Sequence, residues 1–137
     1  MNADSLRALT AWYETLTPDS LTAIRTFYAE ACYFKDPFNE FNRRDQVETL
    51  FAEMFRKLQQ PRFVIRETVR QEAGAILVWD FEFAVRGRAL TIKGCSHLKF
   101  DAQGRVVYHR DYWDAAEELY EKLPGIGFLI RQLKKLA

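Results

Sequence analysis

The 137-residue chain has almost no excess of charge of either sign: 20 Lys and Arg stand against 19 Asp and Glu, a formal +1. These charges are dispersed and form no basic patch, which excludes the electrostatic footprint of a nucleic-acid binder or of a protein drawn to an anionic membrane. Long hydrophobic runs are missing too, and no stretch approaches the roughly 18 apolar residues that a membrane span requires. The opening residues Met1-Asn2-Ala3-Asp4-Ser5 lack a basic region followed by an apolar stretch, so the cytoplasm is the expected compartment. Only two cysteines occur, Cys32 and Cys95; they lie far apart without a metal-type spacing, and free thiols are expected. There is no Gly-rich phosphate loop, no His and Cys cluster and no Gly-x-Ser-x-Gly elbow. Nucleotide, metal and acyl-enzyme chemistry are thereby disfavoured, and neither a cofactor nor a metal is expected.

Aromatic side chains are what the sequence has in quantity: eleven Phe, six Tyr and three Trp make up 15% of the chain. Such residues suit large cores, apolar pockets and subunit interfaces. The length fits one domain, residues 1–137, with one core.

Apolar residues at three- and four-residue steps predict a helix carrying Leu6, Leu9, Trp12, Tyr13 and Leu16, ending near Thr17. Thr17-Pro18-Asp19 then reads as a helix start, with Leu21, Ile24, Phe27 and Tyr28 on the next stripe. After Cys32-Tyr33-Phe34 and the break at Pro37, a third helix follows from Val47 to Leu58, opened by a capping-box-like Asp45 and Glu48 and closed at Pro61. From Phe63 the period falls to two. Leu77, Trp79, Phe81 and Phe83 share one strand face, and Leu90, Ile92, Gly94, Ser96, Leu98 and Phe100 share another. Turns at Arg86-Gly87-Arg88 and Asp101-Ala102-Gln103-Gly104 make these strands and a third, from Arg105 to about Asp114, into an antiparallel meander. Glu117, Glu118 and Leu119 open a further helical stretch, and Phe128, Leu129, Leu133 and Leu136 predict a last helix. Helices first and long hairpinned strands after argue for an α+β fold with helices packed on one side of a curved antiparallel sheet that encloses a pocket.

The stretch from Phe27-Tyr28-Ala29-Glu30 to Asp36-Pro37-Phe38 resembles the corresponding motif of ketosteroid isomerases, in the nuclear transport factor two-like and SnoaL-like polyketide cyclase superfamily. Gly94 to Val107, followed by Tyr112-Trp113, resembles the last two strands of that family without a gap. The resemblance implies a cone-shaped pocket and casts Asp36 as the general base. It places Trp12 where the isomerases carry a tyrosine donor and Ser96 where they carry an aspartic acid, so ordinary steroid isomerisation is not expected. The same alignment turns Val107, His109, Asp111 and Trp113 inward and leaves Val106, Tyr108, Arg110, Tyr112 and Asp114 on the outer face. Two ionisable side chains on an inward face are costly unless they serve a site or a satisfied polar cluster.

Two classes of function follow. One is a cofactor-independent enzyme of isomerase, cyclase or hydrolase type acting on a small hydrophobic molecule, with Asp36, His109 and Asp111 as catalytic groups and Trp12, Trp79, Ser96 and Trp113 at the substrate. Epoxide hydrolysis by paired carboxylates belongs to this class, although no inward arginine is evident. The other is a non-catalytic binding or dimerisation module, and in either case a homodimer through the outer sheet face, with Val106, Tyr108 and Tyr112, is the expected partner state.

Overall fold

The computed structural model describes residues 2–118 and Lys135; the predicted last helix with Phe128, Leu129, Leu133 and Leu136 lies outside the described residues. Helix α1 (Ala3–Glu14) is capped by the Asn2 side chain, which accepts from the Ser5 amide, and it buries Leu6, Leu9, Trp12 and Tyr13. Thr17 and Ser20 then form a reciprocal capping box around a 3-10 turn, Pro18–Ala23, that runs into the one-turn helix α2 (Ile24–Phe27). The second helix predicted from sequence is thus a tight 3-10 start with one α turn, and Tyr28 leaves it to begin strand β1 (Tyr28–Lys35).

Strand β2 (Glu40–Arg43) returns along β1 and leads into helix α3 (Arg44–Lys57). No capping box opens α3: its N-cap is Arg43, which makes no side-chain cap bond, and Asp45 instead lies 3.3 Å from the Arg43 guanidinium. Pro61 does not end the helical half. It lies inside β3 (Gln59–Arg70), which is tolerated because β3 is an edge strand whose pairing with β4 shifts register between Gln59 and Arg62.

Strands β4 (Gly74–Val85), β5 (Arg88–Phe100) and β6 (Val106–Tyr112) form the predicted meander. Between β4 and β5, Arg86 and Gly87 both take positive φ, 52° and 77°, as a two-residue hairpin turn of the right twist requires. The sheet order is β2-β1-β6-β5-β4-β3, and every neighbouring pair is antiparallel except β1 with β6, which run parallel. Helices α1 and α3 pack on one side, α1 against β3 and α3 against β1, β2 and β3. The core between contains Leu77, Trp79, Phe81 and Phe83 from β4 together with Leu9, Ile24, Val47 and Phe51 from the helical layer.

Alternation holds along β4 and β5 but breaks once on β6. The β5–β6 register shifts between Lys99 and Phe100, so Val106 pairs with Phe100 while Tyr108 pairs with Lys99. That extra residue turns Val106 into the core at 0% exposure, whereas His109 and Asp111 keep their inward direction. Val106 is therefore not part of the outer face; Tyr108 and Tyr112 are. Both cysteines are free, and burial pushes the Cys32 thiol up to about 12. Among the described residues no helix is long and apolar enough to cross a membrane.

Candidate active site

Register places the acidic residues. Lys35 pairs with Arg110 across the parallel β1–β6 junction, and Asp36 and Asp111 each stand one step further along. On the other side of β6, Asp111 is directly opposite Ser96 of β5, and one strand beyond, Trp79 of β4 is opposite Gly94. The sheet thus gathers side chains from β4, β5, β6 and the end of β1 at one end of its inner face.

These side chains form a continuous hydrogen-bonded chain. Tyr13 and Tyr28 hydroxyls are 2.5 Å apart, and the Tyr28 hydroxyl is 2.7 Å from His109 Nδ1. His109 Nε2 is 2.6 Å from Asp111 Oδ1, and the same oxygen accepts from Ser96 Oγ at 2.5 Å. Trp79 Nε1 donates to Ser96 Oγ at 2.8 Å. Tyr13, Tyr28, Trp79, Ser96 and His109 are all buried, so each polar atom there needs its partner.

Proton counting fixes the direction of the chain. Burial pushes both phenol pKa values well above the ordinary tyrosine value of 10, so both hydroxyls keep their protons. If Tyr13 donates to Tyr28, Tyr28 donates to Nδ1 and the neutral imidazole donates from Nε2 to Asp111, every proton has an acceptor. In the reverse direction Nδ1–H would donate to Tyr28 and Tyr28 to Tyr13, stranding the Tyr13 proton without an acceptor among the described residues. In the first direction Nδ1 accepts from Tyr28, and His109 Nε2 and Ser96 Oγ both donate to Asp111 Oδ1.

Asp111 Oδ2 accepts nothing among the described residues, yet no buried side-chain oxygen or nitrogen there is unsatisfied. Oδ2 is therefore accessible. Asp111 lines a cavity of about 450 Å³ between the sheet and α3, walled by Phe34, Phe51, Phe63, Trp79, Phe81 and Trp113. Asp36 and Asn39 line it as well. A wider cleft of about 570 Å³ along the rim shares Asp36, Asp111 and Trp113 with it.

Asp36 lies on the cavity wall but is heavily engaged. Its Oδ1 accepts from the Phe38 amide at 2.8 Å, from the Asn39 amide at 2.7 Å and from Asn39 Nδ2, which also reaches Oδ2 at 3.1 Å. The carboxylate therefore shapes the β1–β2 turn, the structural use to which Asp before Pro is often put. Trp12 is not among the residues lining the cavity; its indole N–H donates to the Ser20 carbonyl and its ring packs on Phe27, 5.1 Å between centroids. Trp113 does line it, and its indole N–H has no acceptor among the described residues.

Sequence reasoning did not reach Tyr13, Tyr28 or Gly94. Tyr28 was assigned to a helix, and its alternation with Cys32 and Phe34 along β1 was the available signal. Gly94 leaves room for its neighbours: a Cβ there would stand 2.7 Å from the Trp79 ring, 2.9 Å from the Tyr112 carbonyl oxygen and 3.0 Å from Trp113 Cβ. Among the described residues no group of three or more His, Cys, Asp or Glu side chains is arranged to hold a metal ion.

A bent sheet covered on one side by helices, with an aromatic cavity and acidic groups at one end, defines an α+β roll. The sequence pattern of the SnoaL-like domain matches residues 9–109, and the chain belongs to that family. Among solved structures it is similar to a protein of ketosteroid isomerase-like fold from Catenulispora acidiphila in complex with trimethylamine, at 14% identity and a TM-score of 0.71, over 87% of this chain and 92% of that one. It is likewise similar to an LEH-like epoxide hydrolase from M. tuberculosis, at 16% identity and a TM-score of 0.73, over 94% and 96% of the two chains. A third is an NTF2-like protein of unknown function from Burkholderia pseudomallei, at 18% identity and a TM-score of 0.73, over 85% and 95%. No curated protein matches the chain in sequence. At these identities the likeness establishes the fold and leaves the chemistry to the residues.

Proposed function

We propose that the cavity binds a small, mainly apolar molecule and that Asp111 moves a proton on it without a cofactor. The observation that carries this reading is the asymmetry of Asp111: Oδ1 accepts from His109 and Ser96, while Oδ2 is accessible on an aromatic wall. A carboxylate oriented in this way by neighbours that are themselves buried is held ready for one proton at one oxygen. Asp36, the base expected from sequence, is assigned a supporting role at the neighbouring end of β1, because Asn39 and two backbone amides already occupy it.

In the proposed step Oδ2 removes a proton from a carbon beside a carbonyl. The C–H electron pair forms a carbon–carbon double bond to the carbonyl carbon, the carbonyl π pair moves to its oxygen, and the Trp113 indole N–H donates to that oxygen. Return of the proton to the same or a neighbouring carbon regenerates Asp111. The trimethylamine held by the Catenulispora protein supports small-molecule binding on this scaffold. An epoxide-opening step would use an arginine beside the two carboxylates, and among the described residues none lines the cavity.

The test is deuterium exchange. Apolar ketones of the steroid, terpenoid and polyketide kinds are incubated with the protein in D2O, and loss of α-proton signal is followed by NMR. Asp111→Asn should slow the exchange by about 10²–10⁴-fold, the usual contribution of a positioned base. Equal exchange by the wild type and Asp111→Asn would refute the assignment.

A further inference from the structure

The charge of the cavity narrows what it accepts. Four ionisable side chains line it: Asp36, Glu53, Lys57 and Asp111. Glu53 is paired at the helix surface with Arg56, 2.5 Å away, and with Lys57 at 3.6 Å, so both cations of that trio are directed at Glu53 and the trio carries a net +1 on the α3 side. Asp36 and Asp111 remain. Neither has a Lys or Arg nitrogen within 4.0 Å among the described residues; the one ion-pair contact is His109 on Asp111, where the imidazole donates from Nε2 while Nδ1 accepts from Tyr28. Lys35 and Arg110 line the adjoining rim cleft rather than the cavity, and the Arg110 guanidinium lies over the Tyr112 ring, 4.8 Å from its centroid.

Two uncompensated carboxylates in an aromatic enclosure form an unusual pairing. A carboxylate that is 83% removed from solvent, as Asp111 is with its side chain 17% exposed, is costly without a counter-charge. The walls are ring faces and edges: Phe63 lies 5.8 Å from Trp79 and 4.6 Å from Phe81, and Phe38 lies 5.5 Å from Trp113. Aromatic faces carry negative potential and attract cations within about 6 Å of the centroid, and they do so more strongly when water is excluded. Carboxylates and rings therefore favour the same ligand charge, while the apolar area favours a carbon-rich body.

Resting on the reading of this cavity as the binding site, we propose that its ligand is a small organic cation: an apolar body bearing a protonated or quaternary nitrogen, seated with the nitrogen between Asp111 and Asp36 and the aromatic rings. Such a ligand supplies the counter-charge that Asp111 lacks. A positive nitrogen near the reacting carbon also acidifies its C–H bond, which suits a carboxylate base.

The test compares two probes of the same shape, benzyltrimethylammonium and its uncharged carbon isostere neopentylbenzene, by titration at pH 7 and low salt. Indole N–H shifts of Trp79 and Trp113 locate the binding. The ammonium should bind about tenfold tighter than the isostere, and salt should weaken it alone. Asp111→Asn should remove most of that preference while leaving neopentylbenzene unchanged, and Asp36→Asn, as a second variant, should reduce it by a smaller factor. If the isostere binds as well as the ammonium with the same indole shifts, the cation inference is overturned and the cavity reading stands. If neither probe moves the two indoles, the cavity reading falls and the inference falls with it.

Discussion

Tyr28→Phe removes one oxygen from the centre of the buried chain and tests its direction. The substitution deletes the acceptor of the Tyr13 proton and the donor to His109 Nδ1, with no appreciable change of shape. Two net hydrogen bonds at about 1 kcal/mol each are lost, and a stranded Tyr13 hydroxyl adds about 1–3 kcal/mol, so the expected destabilisation is at least roughly 3 kcal/mol. With a urea slope of about 1–3 kcal/mol/M, the unfolding midpoint should fall by roughly 1–3 M. Tyr13→Phe costs only about 1 kcal/mol, because Tyr28 still donates to the imidazole. The diagnostic is the double variant. Adding Tyr13→Phe to Tyr28→Phe removes the stranded proton, so the double should be more stable than Tyr28→Phe alone by about 1 kcal/mol, a coupling of the size expected for groups in one network. In the opposite direction, with a cationic imidazole, Tyr13→Phe would itself strand the Tyr28 proton. Tyr13→Phe as costly as Tyr28→Phe, with no relief in the double, would therefore refute the neutral imidazole. Nitrogen NMR of His109 gives an independent reading: an unprotonated Nδ1 and a protonated Nε2.

The same tyrosines govern alkaline stability. Their folded pKa values are raised above the ordinary 10, so their contribution is complete below pH 10 and is lost as pH rises above it, when the unfolded chain ionises first. Stability should fall by up to about 1.4 kcal/mol per pH unit for each buried phenol, and the fall should be shallower in Tyr13→Phe. Gly94→Ala should destabilise by about 1–3 kcal/mol through overpacking and should change the tryptophan fluorescence, because the added methyl displaces the Trp79 ring and Trp113. Unchanged fluorescence would show that Gly94 is not what makes room for the Trp79 ring.

Much of the fold was legible because local signals agreed. Period-two alternation in β4 and β5, a turn of two positive-φ residues at Arg86-Gly87 and an Asp101 side chain accepting from the Gln103 and Arg105 amides all specify the meander without reference to distant residues. Helix α1 was readable from its stripe for the same reason. What failed was decided by contacts over long separations. Tyr28 continues a helical stripe in sequence, but β6 offers it a strand partner, Val106, 78 positions away by subtraction of the two residue numbers. That pairing overrides the local pattern. The inward turn of Val106 depends on a register shift opposite Phe100, which alternation along β6 alone cannot reveal.

The site was legible in part, and the limit has a physical cause. His109 and Asp111 were visible because two ionisable residues on an inward face break the expected apolar pattern. Their roles were not visible, because they are set by which oxygen each donor reaches. Asp36 carries the recognisable motif, but Asn39, three residues on, engages both of its oxygens, and only the folded turn shows this. The Ser96 position lacks the acid found in ketosteroid isomerases, yet the strand register brings Asp111 directly opposite it, so a carboxylate is present beside Ser96 after all. A chain of hydrogen-bond donors ending on one carboxylate oxygen leaves that group at the cavity wall with no Lys or Arg nitrogen within 4.0 Å among the described residues. It orients the group without neutralising it, which is the condition under which a base, or an anion awaiting a cation, is of use.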